Sequence, residues 1–291
     1  MRFPKFEYYE PKTLEAALSL LAGKGEGTHV LAGGTDLLVK MNHGLLAPKS
    51  VIAIKGIEGL HQIRFQAGKG LTIGATALLA EVASHRDIRR HYPAVAFAAQ
   101  ETANVQIRNM GTVAGNLCNA APSADNAPTL MAMGAEVTLA SLKGERRIAL
   151  DQFFRGPGLT AMKPGEIMTS IFVPLPPPTS GTSFKHLSAR GKVDISGVCV
   201  GVMVTLNGEG CKEARIVLGA VAPTPMRAKK AEGYLQGQPW TTELVERAGD
   251  MASKASKPIS DVRASAAYRK KMVSVLTRRA LEEAHERASK R

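Results

Sequence analysis

QIRNMGTVAGNLCNAAPSAD, residues 106–125, is rich in glycine, alanine, asparagine and serine and poor in large apolar side chains. It cannot be a helix or a central strand throughout. So long a run of small residues inside a compact chain lets backbone approach a ligand closely. A second glycine turn lies upstream in THVLAGGTD, residues 28–36, where a short apolar strand is followed by Gly33 and Gly34 and then by helical spacing at Leu37, Leu38 and Met41. Successive N–H groups unshielded by Cβ atoms form a nest that takes phosphate, and the helix start behind them adds partial positive charge. A tight turn with Asp36 as helix cap is the plainer reading of the same residues. The spacing is neither GxGxxG nor GxxxxGKS/T, so the common dinucleotide and P-loop fingerprints are absent. Two small-residue loops with a β-rich stretch between them suggest a pyrophosphate held from both sides by backbone amides. That fits a large dinucleotide better than a mononucleotide.

Outward from these loops, Thr13 caps a helix carrying Leu14, Ala17, Leu18 and Leu21, and residues 50–54 read as an apolar strand. Residues 63–65 and 71–73 flank Ala67-Gly68-Lys69-Gly70, a hairpin signal. Helical spacing follows at 76–84 and 94–102, Ser123 is placed to cap a helix running to Met133, and residues 135–140 read as a strand. Leu175-Pro176-Pro177-Pro178-Thr179 is stiff and unfit for a sheet interior, which places a domain break at about residue 177. Beyond it, residues 183–187, 197–206 and 213–221 read as consecutive antiparallel strands. Helices are expected at 226–235, 242–254 and from about 263 onward.

The composition narrows the function. With 44% hydrophobic and 22% charged residues in 291, the chain is neither disordered nor fibrous. No apolar run approaches the roughly 20 residues of a membrane span, and no secretory leader pattern opens the sequence, so a cytoplasmic protein is expected. Cys118, Cys199 and Cys211 form no CxxC pair or disulfide framework, and the seven histidines show no metal-binding spacing. The net charge of +13 raises a nucleic-acid reading. The basic clusters at 227–230, 269–271 and 278–279 have no interleaved aromatics to stack on bases, so a solvated face or a surface meeting acidic partner subunits fits better.

These motifs, together with Phe153-Phe154-Arg155-Gly156-Pro157-Gly158, Pro164-Gly165-Glu166-Ile167, Phe184-Lys185, Asp194-Ile195, residues 219–225 (GAVAPTP), Tyr268-Arg269 and Arg278-Arg279-Ala280, resemble in order the FAD-binding medium subunit of molybdenum hydroxylases. That family includes xanthine dehydrogenases and carbon monoxide dehydrogenases. The resemblance implies an α+β fold: a vanillyl-alcohol-oxidase-type FAD-binding domain over 1–177, with α/β subdomains at about 1–55 and 56–177. A C-terminal domain over 178–291 would hold a three-stranded antiparallel sheet and a helical bundle.

By the same resemblance, Leu31, Ala32, Gly33, Gly34, Thr35, Asp36 and Leu37 would wrap the FAD pyrophosphate. Thr112, Ala114, Gly115 and Asn116 would form the second wall, with Ala103, Cys118 and Asn119 also at the cofactor. Asp125 would accept hydrogen bonds from ribityl hydroxyls, Ile167 and Met168 would pack near the isoalloxazine, and Lys185 would stabilise negative charge on the reduced ring. Plain core for Ile167 and Met168, and a surface position for Lys185, are the competing readings. Ala114 stands where the family motif TIGGN has its first glycine, which a methyl group tolerates only at negative φ. The cysteine-rich insertion of some members is missing. The implied function is electron transfer: from 2Fe-2S clusters of a small partner subunit through FAD to NAD or another acceptor. Substrate would be oxidised at a molybdenum cofactor in a large partner subunit, and the assembly would be a dimer of heterotrimers. A self-contained flavin oxidoreductase is the alternative, though no substrate base or extra substrate domain is evident.

Overall fold

The computed structural model describes residues 4–189 and 194–290. It opens on an α/β unit: β1 (Glu7–Tyr9), α1 (Leu14–Lys24), β2 (Thr28–Leu31), α2 (Leu37–Asn42) and β3 (Ser50–Ala53). The strands are parallel in the order β1-β3-β2. Central β3 is buried along its whole length, and α1 covers the sheet with Ala17 and Leu18, its first turn capped by the Thr13 hydroxyl accepting from the Ala16 N–H.

The chain continues through β4 (Ile63–Gln66), β5 (Gly70–Gly74), α3 (Leu79–Ser84), α4 (Arg86–His91), α5 (Pro93–Glu101), α6 (Val105–Arg108), α7 (Val113–Asn119) and α8 (Asn126–Ala132). Then come β6 (Glu136–Ser141), β7 (Gly144–Ala149), β8 (Phe154–Gly156), β9 (Leu159–Thr160) and β10 (Ile167–Pro174). Five of these strands form an antiparallel sheet ordered β4-β5-β10-β6-β7. The stretch 106–125 thus contains two short helices separated by a glycine turn. Helix α8 starts at Asn126 with Asp125 in the N-cap position, so Ser123 is not its cap.

The last part holds β11 (Ser180–Leu187), β12 (Val198–Asn207), β13 (Gly210–Gly219), β14 (Met226–Arg227), α9 (Lys229–Leu235), α10 (Thr242–Ala255) and α11 (Ala266–Ser289). The antiparallel sheet β11-β12-β13-β14 has one strand more than expected. Met226 and Arg227 pair with Leu218 and Val217 instead of opening a helix. Glu232 accounts for this: it takes a bidentate hydrogen bond from Arg227 (3.1 and 2.8 Å) and caps the Ile216 N–H (2.8 Å), fixing the segment against β13.

Residues 198–206 of β12 are buried on both faces. One face, with Val198, Val200, Val202 and Val204, packs into the cluster formed with α10 and α11. The other carries Cys199 and Gly201 against α5 and α8. The C-terminal sheet is therefore sandwiched, and α8 is pressed onto it at Gly201 and Gly219. Among the described residues no helix is long and apolar enough to cross a membrane.

Candidate cofactor site

The two glycine segments meet. A Cβ on Gly33 would fall on the Met110 carbonyl oxygen and within 2.7 Å of the Gly111 Cα, so Gly33 exists here to let two backbones touch. Gly34 has a different reason: its φ of +76° is the left-handed region. Among the described residues, the backbone N–H groups of residues 32–36 donate to no protein acceptor. Across from them the Thr112 hydroxyl caps α7 by accepting from the Gly115 N–H at 2.9 Å, and the Gly111 carbonyl accepts from the Leu79 N–H at 2.9 Å. Ala114 lies inside α7, buried and helical, so its methyl group meets the negative-φ condition.

Side chains lock this junction. Asn119 donates to Asp36 (2.9 Å) and accepts from Lys40 (2.7 Å), tying the end of α7 to the start of α2. Asp36 sits in the N-cap position without a capping bond, and burial raises its carboxyl pKa against the pull of Lys40. On the inner side of α7 the Cys118 sulfur lies 3.8 Å from the Met162 sulfur and 4.0 Å from that of Met168. Although Cys118 as a residue is partly exposed, its thiol is enclosed, and burial pushes it up to about 12. It is a packing thiol and no nucleophile at neutral pH. Ile167 and Met168 are both buried in the core beneath it. Glu166, beside them, is clamped by Arg146 (2.6 and 2.9 Å) and by the Lys163 N–H (2.6 Å), which makes the Pro164-Gly165-Glu166-Ile167 motif a structural turn.

Asn126 links α7 to the turn that ends α5. Its amide donates to Thr102 (3.1 Å) and Asn116 (3.2 Å), and Ala103 beside Thr102 holds a φ of +50°. Arg108 clamps that turn through the carbonyls of Thr102 (3.1 Å) and Ala103 (2.8 Å). Next to Asn126, Asp125 is 8% exposed and accepts from the Ser196 hydroxyl at 2.6 Å. Ser196 in turn meets His186 Nδ1 at 3.2 Å, and His186 Nε2 meets Glu101 at 3.2 Å. Burial pushes the Asp125 carboxyl up to about 6; the Ser196 hydrogen bond and His186 oppose the shift, and Glu101 adds to it. Arg269, itself buried, donates to the carbonyls of Gly197 (2.8 Å) and Ala220 (2.9 Å), pinning both chain passages beside Ser196.

Residues 31–37, 112–116, 119 and, through Asn126, Ala103 and Asp125 are thus joined in one region. Lys185 is placed differently. Strand alternation turns it, like Ser183, toward α11, where Glu283 takes an ion pair from Lys185 (2.8 Å) and a hydrogen bond from Ser183. Glu101, His186, Ser196, Asn126 and Arg269 are members of the region that sequence reasoning did not assign to it. Arg269 lies in a noted motif and His186, Ser196 and Asn126 directly follow one, but partners 71 to 85 residues apart leave no local pattern that would join them.

Two family models match the chain: the FAD binding domain in molybdopterin dehydrogenase over residues 4–176, and the CO dehydrogenase flavoprotein C-terminal domain over residues 182–284. The chain is 33% identical to the carbon monoxide dehydrogenase medium chain of Afipia carboxidovorans, over 97% of its own length and 98% of that protein's. It is 30% identical to the putative xanthine dehydrogenase FAD-binding subunit of Escherichia coli K12, over 95% of each. A solved chain of carbon monoxide dehydrogenase from Hydrogenophaga pseudoflava, lacking the Mo-pyranopterin moiety of the molybdenum cofactor, superposes with a TM-score of 0.95 at 32% identity, covering 99% of both chains.

Proposed function

This chain belongs to the family of FAD-binding subunits of molybdenum hydroxylases, and on that premise we propose that it passes electrons from 2Fe-2S clusters of a small partner subunit through FAD to NAD or another acceptor. It is an oxidoreductase flavoprotein subunit, and FAD is its cofactor. In the proposed complex, substrate is oxidised at a molybdenum cofactor in a large partner subunit, and two such heterotrimers associate.

One observation carries the reading: the apposition of the two glycine segments, with the N–H groups of residues 32–36 left without acceptors among the described residues. That donor set fits a pyrophosphate, whose oxygens need several N–H partners and no side-chain acid or base. Residues 31–37 would hold it from one side, and Thr112, Ala114, Gly115, Asn116 and Asn119 from the other. Asp125, buried and already gripped by one hydroxyl, is suited to accept from ribityl hydroxyls. The Ala103 turn shapes the same wall, and Cys118, Ile167 and Met168 support it from beneath. FAD, when bound, supplies the electron-carrying chemistry, and the chain binds and orients it.

FAD titration of the purified chain tests this. The wild type is expected to take up one flavin, and Gly34→Val, which forces a branched residue into a left-handed turn, is expected to lose it. A chain that takes up no flavin on reconstitution overturns the site. Oxidation of an organic substrate by the flavin-loaded chain alone overturns the division of labour between subunits.

A further inference from the structure

The four side chains Glu101, His186, Ser196 and Asp125 come from α5, β11, the approach to β12 and the head of α8, and they join end to end across the junction of the two cores. We infer that Glu101, His186 and Ser196 form a directional hydrogen-bonded chain that positions the Asp125 carboxylate for FAD, with His186 and Ser196 as its positioning residues. This rests on the FAD site proposed above.

Proton counting gives the chain its direction. An ionised carboxylate only accepts, so the single Ser196 proton goes to Asp125. The Ser196 oxygen must then accept from His186, which places a proton on Nδ1 and fixes the tautomer. With Nδ1 donating, the link from Nε2 to Glu101 closes only when a further proton is shared between them. The complete chain therefore holds a proton at its far end and presents an ionised, oriented Asp125 at its near end. The imidazole is also kept in plane by stacking on Phe184, at 5.7 Å between centroids and 12° between planes.

Among the described residues, no side chain other than Ser196 donates a hydrogen bond to Asp125. Cys199 on β12 is a buried neutral thiol, and Arg269 on α11 spends its guanidinium on the Gly197 and Ala220 carbonyls and on Asp261. On the outer side of His186 lies a groove lined by Lys185, Arg279, Glu282, Glu283 and Glu286, whose carboxylates and cations both face it. Ser196 and His186 both favour the ionised form of Asp125, whereas burial and Glu101 favour the protonated one. Removing the hydroxyl leaves the carboxylate disoriented and easier to protonate.

FAD titrations of the full chain from pH 5 to 9, followed by flavin fluorescence, test the inference. Wild-type affinity is expected to fall as pH drops below about 6. Ser196→Ala should bind about tenfold more weakly at pH 7, and its acid limb should begin at higher pH. His186→Leu should shift the limb in the same direction, and each variant alone carries the test if its melting curve shows a folded chain. Because both act through one carboxylate, the double variant should lose little more than the weaker single variant. Ser196→Thr, which keeps the hydroxyl, should restore affinity and profile. Single variants with the wild-type acid limb, or a double variant whose losses multiply, overturn the chain while leaving the FAD site standing. Failure of the wild type to take up FAD at any pH overturns the site and this inference with it.

Discussion

Asp125 is destabilised as a carboxylate by its burial and by Glu101 and stabilised by one hydroxyl and a nearby imidazole, and burial outweighs them. Its folded-state pKa of about 6 stands above the ordinary 3.8, so between those two pH values the native state holds a proton that the unfolded state has released. The contribution to stability is therefore full below the ordinary value and is lost as pH rises toward 6, a loss on the order of 1–3 kcal/mol. Asp125→Asn keeps an acceptor for Ser196 and never ionises. It should melt higher than the wild type at pH 8 and about level with it at pH 4, while binding FAD more weakly. A wild type that gains on this variant between pH 4 and 7 contradicts the assignment. The two turn glycines divide similarly by cause. Gly33→Ala must drive apart residues 33 and 110–111, so it should lower the melting temperature and the flavin content together. Gly34→Ala meets a left-handed φ, about 1–2 kcal/mol, and the side-chain ends of Leu31 and Leu38 at 3.0 and 3.1 Å, which can shift where backbone cannot, so it should retain more flavin. Thermal melts and flavin-to-protein ratios of the two variants check that order. From sequence, both glycines read as room for phosphate; that Gly33 is room for another backbone is visible only once the segments are seen together.

At the scale of elements, legibility follows how local the deciding interactions are. The hairpin at residues 63–73, the Thr13-capped helix and the long strands of the C-terminal sheet are readable because neighbours a few residues apart fix them. Strand β14 is not, since two residues carry no period and their pairing depends on Glu232 reaching Arg227 and Ile216 at once. The same limit hides the start of α8, where Asp125 turns from capping to bonding Ser196. Strand β11 shows what alternation does with function: His186 and Phe184 face α5, while Ser183 and Lys185 face α11. Glu283 collects Ser183, Lys185 and, at 2.6 Å, Arg287 on that outer side. Glu283→Gln should leave two cations without their shared anion and cost about 1–2 kcal/mol, the partial exposure of the pair keeping the loss moderate. Urea denaturation measures it, and an unchanged midpoint would show that solvent replaces the carboxylate.

Over the whole molecule, the C-terminal sheet is the plate to which both cores are fastened, and glycines set how closely each one approaches. On the cofactor side, a Cβ at Gly201 would lie 2.5 Å from the Pro128 carbonyl carbon and 2.6 Å from the Thr129 nitrogen. On the far side, a Cβ at Gly181 would fall on the Ala284 carbonyl oxygen and lie 2.6 Å from the Ala288 nitrogen. Both contacts are with backbone, which cannot swing aside, so each alanine must push the facing turn of a helix off the sheet. Overpacking of this kind costs typically about 1–3 kcal/mol, and both variants should melt lower by several degrees. Their effects on the cofactor should nevertheless differ. Gly201→Ala displaces α8, whose head carries Asp125 and Asn126, and thereby lengthens the bonds to Ser196 and Asn116 that align the site. Gly181→Ala displaces only α11 near its C-terminal end, four to five turns from Arg269 and the passages it pins. FAD titration below the melting transition should thus show weakened binding for Gly201→Ala and near wild-type binding for Gly181→Ala. Equal losses would mean that flavin affinity follows global stability alone, and that the sheet transmits strain from either face to the site.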